Sequence, residues 1–316
     1  MPVLPELVPM LARIDEARGR LPDASMSAAE RRAVIHRGMD HRAATVVRPA
    51  PPVVQTDHDI EVEGGRITVR GYTPEGAGPL PCHVYVHGGG WWLGTLDHRD
   101  ALCARLAVDT RCVVVSVAHR LAPEHRFPLP VHDCHTAVRW VADHADLLGI
   151  DASRLSIGGD SSGANLAAAT ALMIRDEGGP SLLAQVLEIP VLDLTMDRTY
   201  ANEAEGPLVL TRDELAAAIE GYCAVEDRRR PYASPLLAGD LTGLPPALIM
   251  TAEYDLLRDE GEAYGELLRR AGGSAEVVRW AGHVHGSHEM SAVLESAREW
   301  QSRVAGFLRD AFKGQG

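Results

Sequence analysis

Short apolar runs recur along the chain at Cys82 to Val86, Cys112 to Val117, Leu155 to Ile157, Ala184 to Ile189, Ala247 to Met250 and Ala275 to Val278, separated by longer segments of helical character. Runs this brief, without polar alternation, fit strands buried on both faces. Their alternation with helices predicts an α/β fold, a mostly parallel central sheet with helices on both faces. Asp59 to Thr73 behaves differently, alternating apolar and polar residues around Gly64-Gly65, and predicts an antiparallel hairpin at one sheet edge. Residues from Met1 to about Arg48 are helical in character, with a capping box at Ser27-x-x-Glu30, and lead into the stiff connector Pro49-Ala50-Pro51-Pro52. Between Pro190 and Leu244 no strong strand pattern occurs, and Thr211-Arg212-Asp213-Glu214 forms a second capping box. Leu4, Leu7, Met10, Leu11, Leu208, Leu215, Ile219 and Tyr222 fall at near-helical spacings in these two regions, so both present apolar stripes that must be buried against something.

One strand-to-helix junction carries candidate chemistry. Ser156-Ile157-Gly158-Gly159-Asp160-Ser161-Ser162-Gly163 embeds Gly-x-Ser-x-Gly between a β-branched run and a long apolar helix pattern, the signature of a nucleophile elbow. Gly159 and Gly163 leave room for the adjoining strand and helix, and Ser161 is lifted clear of the sheet beside the unsatisfied N–H groups of a first helical turn. Upstream, the strand at Cys82 to Val86 runs directly into His87-Gly88-Gly89-Gly90-Trp91-Trp92. Three glycines expose backbone N–H groups, and donors fixed in advance around an oxyanion are worth on the order of 3 kcal/mol each. Gly88, Gly89 and Ser162 are the expected donors, with His87 orienting the glycine loop. The triple glycine lacks the Lys-Ser/Thr of a phosphate-binding loop.

A base and an acid stand downstream. Trp280-Ala281-Gly282-His283-Val284-His285-Gly286-Ser287-His288 crowds three histidines into one loop, and Asp255 follows the carboxyl end of the run at Ala247 to Met250. Ser161, Asp255 and His285 therefore occur in a chain order unlike that of chymotrypsin-like or subtilisin-like proteases. Asp160 suits hydrogen bonding within the elbow, while Asp259 and Glu260 suit the positive end of the following helix.

Taken together, His87-Gly88-Gly89-Gly90-Trp91, Arg120-Leu121-Ala122-Pro123-Glu124-His125 with Phe127-Pro128, Gly159-Asp160-Ser161-Ser162-Gly163 with Asn165-Leu166, Asp255-Leu256-Leu257-Arg258-Asp259-Glu260-Gly261 and His285-Gly286 resemble the hormone-sensitive-lipase-like branch of α/β-hydrolases, the bacterial family IV carboxylesterases. The resemblance spans nearly the whole chain. It implies one α/β-hydrolase domain over residues 1–316, with a helical cap formed by about 1–48 and about 195–231 over the mouth of the site. It also implies Ser161 as nucleophile, Asp255 as acid and His285 as base, hydrolysing short- to medium-chain acyl esters without a cofactor. Trp91, Trp92, Tyr222 and Leu256 are the expected substrate contacts. An amidase or peptidase using the same triad, and a non-catalytic small-molecule binding protein of the same fold, are the alternatives. The chain departs from the usual pattern at Ser162 and Ala164, at Ala118-His119 and at Ser287. These positions bear on pocket shape, so no relative's substrate preference carries over.

Composition narrows the partners. The 316 residues are 46% hydrophobic and 24% charged, enough for a large core, and 31 basic against 44 acidic residues give a formal charge of -13, which disfavours nucleic acid. A small ester is the expected partner, with a second copy of the chain as a further candidate. Five cysteines without paired spacing point to neither a disulfide framework nor a zinc site. The His283-x-His285-x-x-His288 spacing reads as one functional histidine with two neighbours, and no metal is expected. The N-terminus lacks the basic start and apolar stretch of a signal peptide, and no run is long enough to span a membrane, so a cytoplasmic location is expected.

Overall fold

The computed structural model describes residues 2–18, 26–76, 78–197 and 206–313. Met1 and residues 198–205, which belong to the two expected cap segments, lie outside the described residues, as do 19–25.

Every apolar run becomes a strand. The hairpin forms β1 (Val54–Val62) and β2 (Gly65–Thr73), and the remaining strands are β3 (Leu80–Val86), β4 (Val113–Ala118), β5 (Ile150–Asp160), β6 (Leu182–Glu188), β7 (Ala247–Tyr254) and β8 (Ala275–Val284). They make one 8-stranded sheet in the order β1-β2-β4-β3-β5-β6-β7-β8. β2 is antiparallel to both β1 and β4, and the other neighbours are parallel. From β3 the chain winds toward one edge, and from β5 it winds toward the other. The crevice between the carboxyl ends of β3 and β5 is therefore the topological switch point where open α/β sheets place their sites.

Side-chain alternation in the buried strands feeds two cores. Val84 and Val86 join a cluster with Val131, Cys134, Val138 and the apolar face of α6 (Ser162–Glu177), including Leu166, Leu172 and Ile174. Tyr85 points the other way, into a cluster with Cys103 and Ala107 of α3 (Asp100–Thr110) and Trp300, Leu308 and Phe312 of α9 (Glu295–Phe312). α4 (Leu129–Asp143) packs on α6, and α8 (Arg258–Arg270) packs on β7 and β8. A four-residue helix, α5 (Ala145–Leu148), leads into β5.

The N-terminal region folds as α1 (Val8–Arg18) and α2 (Ala28–Val46), and the insertion contributes α7 (Arg212–Tyr222). Both sequence-read capping boxes are formed: Ser27 with Glu30, and Thr211 with Glu214. The apolar stripes find their cover. Leu7 and Leu11 pack with Val284, Met290, Leu294 and Ala297, and Leu215, Ile219 and Tyr222 pack into the main core. Among the described residues no helix is long and apolar enough to cross a membrane.

Candidate active site

The elbow is built as its glycines require. Ser161 sits at φ 53° and ψ -118°, a strained backbone conformation for a side chain with a Cβ, and its N–H is held by the Glu188 carbonyl at 2.8 Å. A Cβ on Gly159 or Gly163 would strike the carbonyl oxygen of Val86. Those two positions must be bare because the end of β3 crosses directly over the turn.

Three strand ends bring the triad together. The Ser161 Oγ–H donates to His285 Nε2 at 3.0 Å, and His285 Nδ1 donates to Asp255 Oδ2 at 2.8 Å. The tautomer follows from chemistry, since a carboxylate only accepts. The other carboxylate oxygen of Asp255 accepts from the Leu257 N–H at 3.0 Å, and the side chain is buried. Burial depresses the pKa of His285, but the charge and hydrogen bond of Asp255, with Asp160 and Glu289 beyond, outweigh it and hold the imidazole above its ordinary value. The other two histidines of the loop are engaged elsewhere. His283 bonds the hydroxyls of Ser287 and Ser296, each at 2.8 Å, and His288 stacks on Trp300 with ring centroids 5.3 Å apart. Burial drives His283 down to about 4.

Asp160 proves to be the anchor beneath the elbow. Its buried carboxylate accepts from Tyr85 Oη at 2.6 Å, from the Gly88 N–H at 3.0 Å and from Arg99 Nη2 at 2.8 Å. Burial alone would raise its pKa, but Arg99 overrides that and keeps it ionised. Arg99 also pairs with Glu289 at 2.9 Å. Asp160, His288 and Glu289 offer ligand-type atoms within 4.8 Å of one another, yet the guanidinium already bridges the two carboxylates and takes the place a metal cation would need. Nothing in the sequence marks Arg99, which stands 61 residues from its partner.

Two expectations are corrected here. The Gly88 amide, expected at the oxyanion, is spent on Asp160, whereas the amides of Gly89 and Gly90 donate to no group among the described residues. Gly90, at φ 60°, faces Ala218 of α7 and the Trp92 ring, whose atoms lie 3.3 and 3.4 Å from where its Cβ would be. Of the expected substrate contacts, Trp91 and Tyr222 stack face to face at 4.5 Å in the core, and Leu256 is buried with them. They brace the site from within. Trp92 alone is partly exposed and adjoins Gly90. Glu260 stands in the first turn of α8 as expected, and its buried carboxylate also accepts from the N–H groups of Leu192 at 2.7 Å and Asp193 at 3.0 Å, fixing the segment after β6.

Three of the residues that depart from the usual pattern make local contacts of their own. Ser162 Oγ accepts from the Trp91 N–H at 3.2 Å, His119 stacks on His87 at 4.5 Å, and Ser287 Oγ donates to the Val284 carbonyl at 2.7 Å. His87 is buried and driven down to about 3, chiefly by burial, so the ring beside the glycine loop is neutral.

Comparison with known proteins agrees with this geometry. A family model described as an alpha/beta hydrolase fold matches residues 83–289. Carboxylesterase NlhH of Mycobacterium tuberculosis is 42% identical over 238 residues, which cover 73% of this chain and 74% of that protein. The arylesterase of Saccharolobus solfataricus is 36% identical over 268 residues, 84% of this chain and 86% of that one. A hyperthermophilic esterase from the archaeon Pyrobaculum calidifontis superimposes with a TM-score of 0.91 at 40% identity, over 98% of this chain and 99% of that one. The chain belongs to the hormone-sensitive-lipase-like branch of the α/β-hydrolases, the family IV carboxylesterases, and is a serine ester hydrolase.

Proposed function

We propose that the chain hydrolyses water-soluble esters of short to medium acids through an acyl-enzyme on Ser161. The observation that carries this is the continuous relay from Ser161 Oγ through His285 to Asp255, at 3.0 and 2.8 Å. As the hydroxyl attacks the ester carbonyl, its proton passes to His285 Nε2, while Asp255 holds the ring and stabilises the imidazolium. The carbonyl oxygen becomes an oxyanion, to which we assign the amides of Gly89, Gly90 and Ser162. Collapse expels the alcohol with the proton from His285. Water, deprotonated by the same nitrogen, then releases the acid.

Size selection rests on the cap. Ala218 and Trp92 crowd Gly90, and Met196, Leu208 and Leu210 supply partly buried apolar surface from the insertion, an arrangement suited to small acyl and alcohol groups. A cytoplasmic location and a homodimer belong to the same proposal. All five cysteines are buried free thiols, as suits a reducing compartment, and β8 is the edge strand at one end of the sheet, where a second copy could pair.

The test combines a fluorophosphonate probe with a graded panel of p-nitrophenyl esters. Labelling is expected at Ser161 and absent from Ser161→Ala, with highest kcat/KM on short to medium esters. Failure to label marks a binding protein, faster cleavage of matched anilides marks an amidase, and vigorous attack on emulsified long-chain triglyceride overturns the size assignment.

A further inference from the structure

The loop that follows the oxyanion glycines is held from two sides. On the inner side the Trp91 N–H donates to Ser162 Oγ, and the loop closes on itself through Leu93 N–H to the Gly89 carbonyl at 2.9 Å. On the outer side it is gripped by one face of α2. Arg32 Nε donates to the Trp92 carbonyl at 2.6 Å, and its Nη2 donates to the Ala122 carbonyl at 2.8 Å. Glu124 clamps the same guanidinium at 2.7 Å. One turn further along, His36 Nε2 accepts from the Gly94 N–H at 3.1 Å. Ala122 in turn donates its N–H to the Trp91 carbonyl at 2.9 Å, so the Arg120-Leu121-Ala122-Pro123-Glu124 segment forms the far wall of the clamp.

Residues 32 and 36 are spaced i, i+4, which puts both side chains on one helix face. A fork-shaped guanidinium suits this task because it donates to two carbonyls and a carboxylate at once, in fixed directions. The Arg32 side chain is mostly buried, at 16% exposure, so its bonds are shielded from competing water.

We propose that Arg32 is a positioning residue for catalysis: from the N-terminal helix it fixes the loop 91–94 and so the directions of the Gly89 and Gly90 amides, with Glu124 orienting its guanidinium and His36 as a second hold. The N-terminal helix thereby acts on the chemical step as well as on the shape of the pocket. This rests on the oxyanion assignment made above. A misplacement of about 1 Å in a catalytic group can cost about 100-fold in rate, so loosening the loop while leaving the triad intact is expected to cost about 10- to 100-fold.

The experiment measures kcat and KM of Arg32→Ala, Arg32→Lys and Glu124→Gln on p-nitrophenyl acetate and butyrate. It adds the inhibition constant of a trifluoromethyl ketone, whose hemiketal adduct with Ser161 carries an oxyanion, and that of the matching non-fluorinated ketone. Arg32→Ala is expected to lose about 10- to 100-fold in kcat on both esters with KM within about threefold. Its affinity for the trifluoromethyl ketone should weaken in proportion, and that for the plain ketone should not. Arg32→Lys, which reaches one carbonyl, should recover part of the loss, and Glu124→Gln should lose several-fold. A raised KM or altered chain-length preference with unchanged kcat overturns the proposal and leaves Arg32 as a pocket wall. Unchanged kinetics in all three variants overturn it too. If Arg32→Ala fails to fold, the lysine and glutamine variants decide by the same ratio. Absence of Ser161 labelling in the unsubstituted protein would fail the ester-hydrolase assignment itself, a separate result.

Discussion

Replacing Asp255 with Asn tests the relay at its least substitutable bond. Asp255 Oδ1 accepts from the Leu257 N–H at 3.0 Å, so an asparagine must keep its carbonyl oxygen there; turning the amide over would set two N–H groups against each other. Its NH2 then occupies the Oδ2 position, 2.8 Å from His285 Nδ1 in the present structure. A donor facing Nδ1 forces that nitrogen to accept, and the imidazole proton moves to Nε2, which faces Ser161. The serine hydroxyl is left without a base. Loss of the working tautomer costs about 10,000-fold in kcat, equivalent to about 5.5 kcal/mol of barrier. The variant also removes the charge that outweighs burial in raising the His285 pKa, so the remaining activity should shift its acid limb downward. The assay is kcat on p-nitrophenyl butyrate from about pH 6 to about pH 9, the range around the ordinary imidazole value in which this limb falls, with near-ultraviolet circular dichroism to establish folding. A folded variant keeping more than about a tenth of wild-type kcat would refute the tautomer argument, as would an acid limb that moves upward.

For the unsubstituted protein, kcat/KM should fall on the acid side with an apparent pKa above the usual 6.5, because Nε2 must be unprotonated to accept and His285 is held above its ordinary value; a limb below 6 would contradict this. His285→Ala should be inert, whereas His283→Ala should keep most of its turnover but lose about 2 kcal/mol of stability, since it leaves the buried Ser287 hydroxyl and the half-buried Ser296 hydroxyl with one partner fewer each; an inactive but folded His283→Ala would reassign the base. Acid should destabilise the fold steeply. His83 and His87 are driven to about 3 and His283 to about 4 by burial, so the unfolded chain binds three protons near 6.5 that the native chain refuses. Stability then falls as pH drops below about 6.5, by up to about 4 kcal/mol per pH unit, and a melting temperature that is flat between pH 6.5 and pH 4.5 would speak against it. Asp160→Asn strands Arg99 with Glu289 alone and should cost about 3–5 kcal/mol, a drop of about 5–8 °C in melting temperature for a chain of 316 residues, read by calorimetry.

The sheet was legible because a strand buried on both faces needs only an unbroken apolar run, a property local to a few residues; six of the eight strands could be placed this way, and β1 and β2 by the alternation of apolar and polar residues around Gly64-Gly65. The elbow was legible for a related reason. Gly159 and Gly163 are required by a single close crossing with the carbonyl of Val86, and that requirement is written at fixed offsets from Ser161. Selection among equivalent neighbours is another matter. Three consecutive glycines look alike, and which amide stays free is decided by Asp160, 72 residues away from Gly88. Arg99 and Arg32 are ordinary arginines in helical segments, Arg32 directly beside Arg31, and nothing local reveals that one neutralises a carboxylate 61 residues on while the other reaches a carbonyl 60 residues on. Trp91 and Tyr222 fail as substrate contacts on the same ground: aromatic residues beside a site can line it or brace it, and here their stacking with each other turns both inward. What escapes the sequence is thus the long-range polar bonding that chooses among candidates, and in this fold that bonding converges on the loop between Gly88 and Gly94. The elbow could be read from its own turn, but the groups that hold the glycine loop, to which we assign the oxyanion donors, come from three separate stretches of chain, Arg32 with His36, Ala122 with Glu124, and Asp160 with Ser162, so the precision of the site is a property of the packed fold.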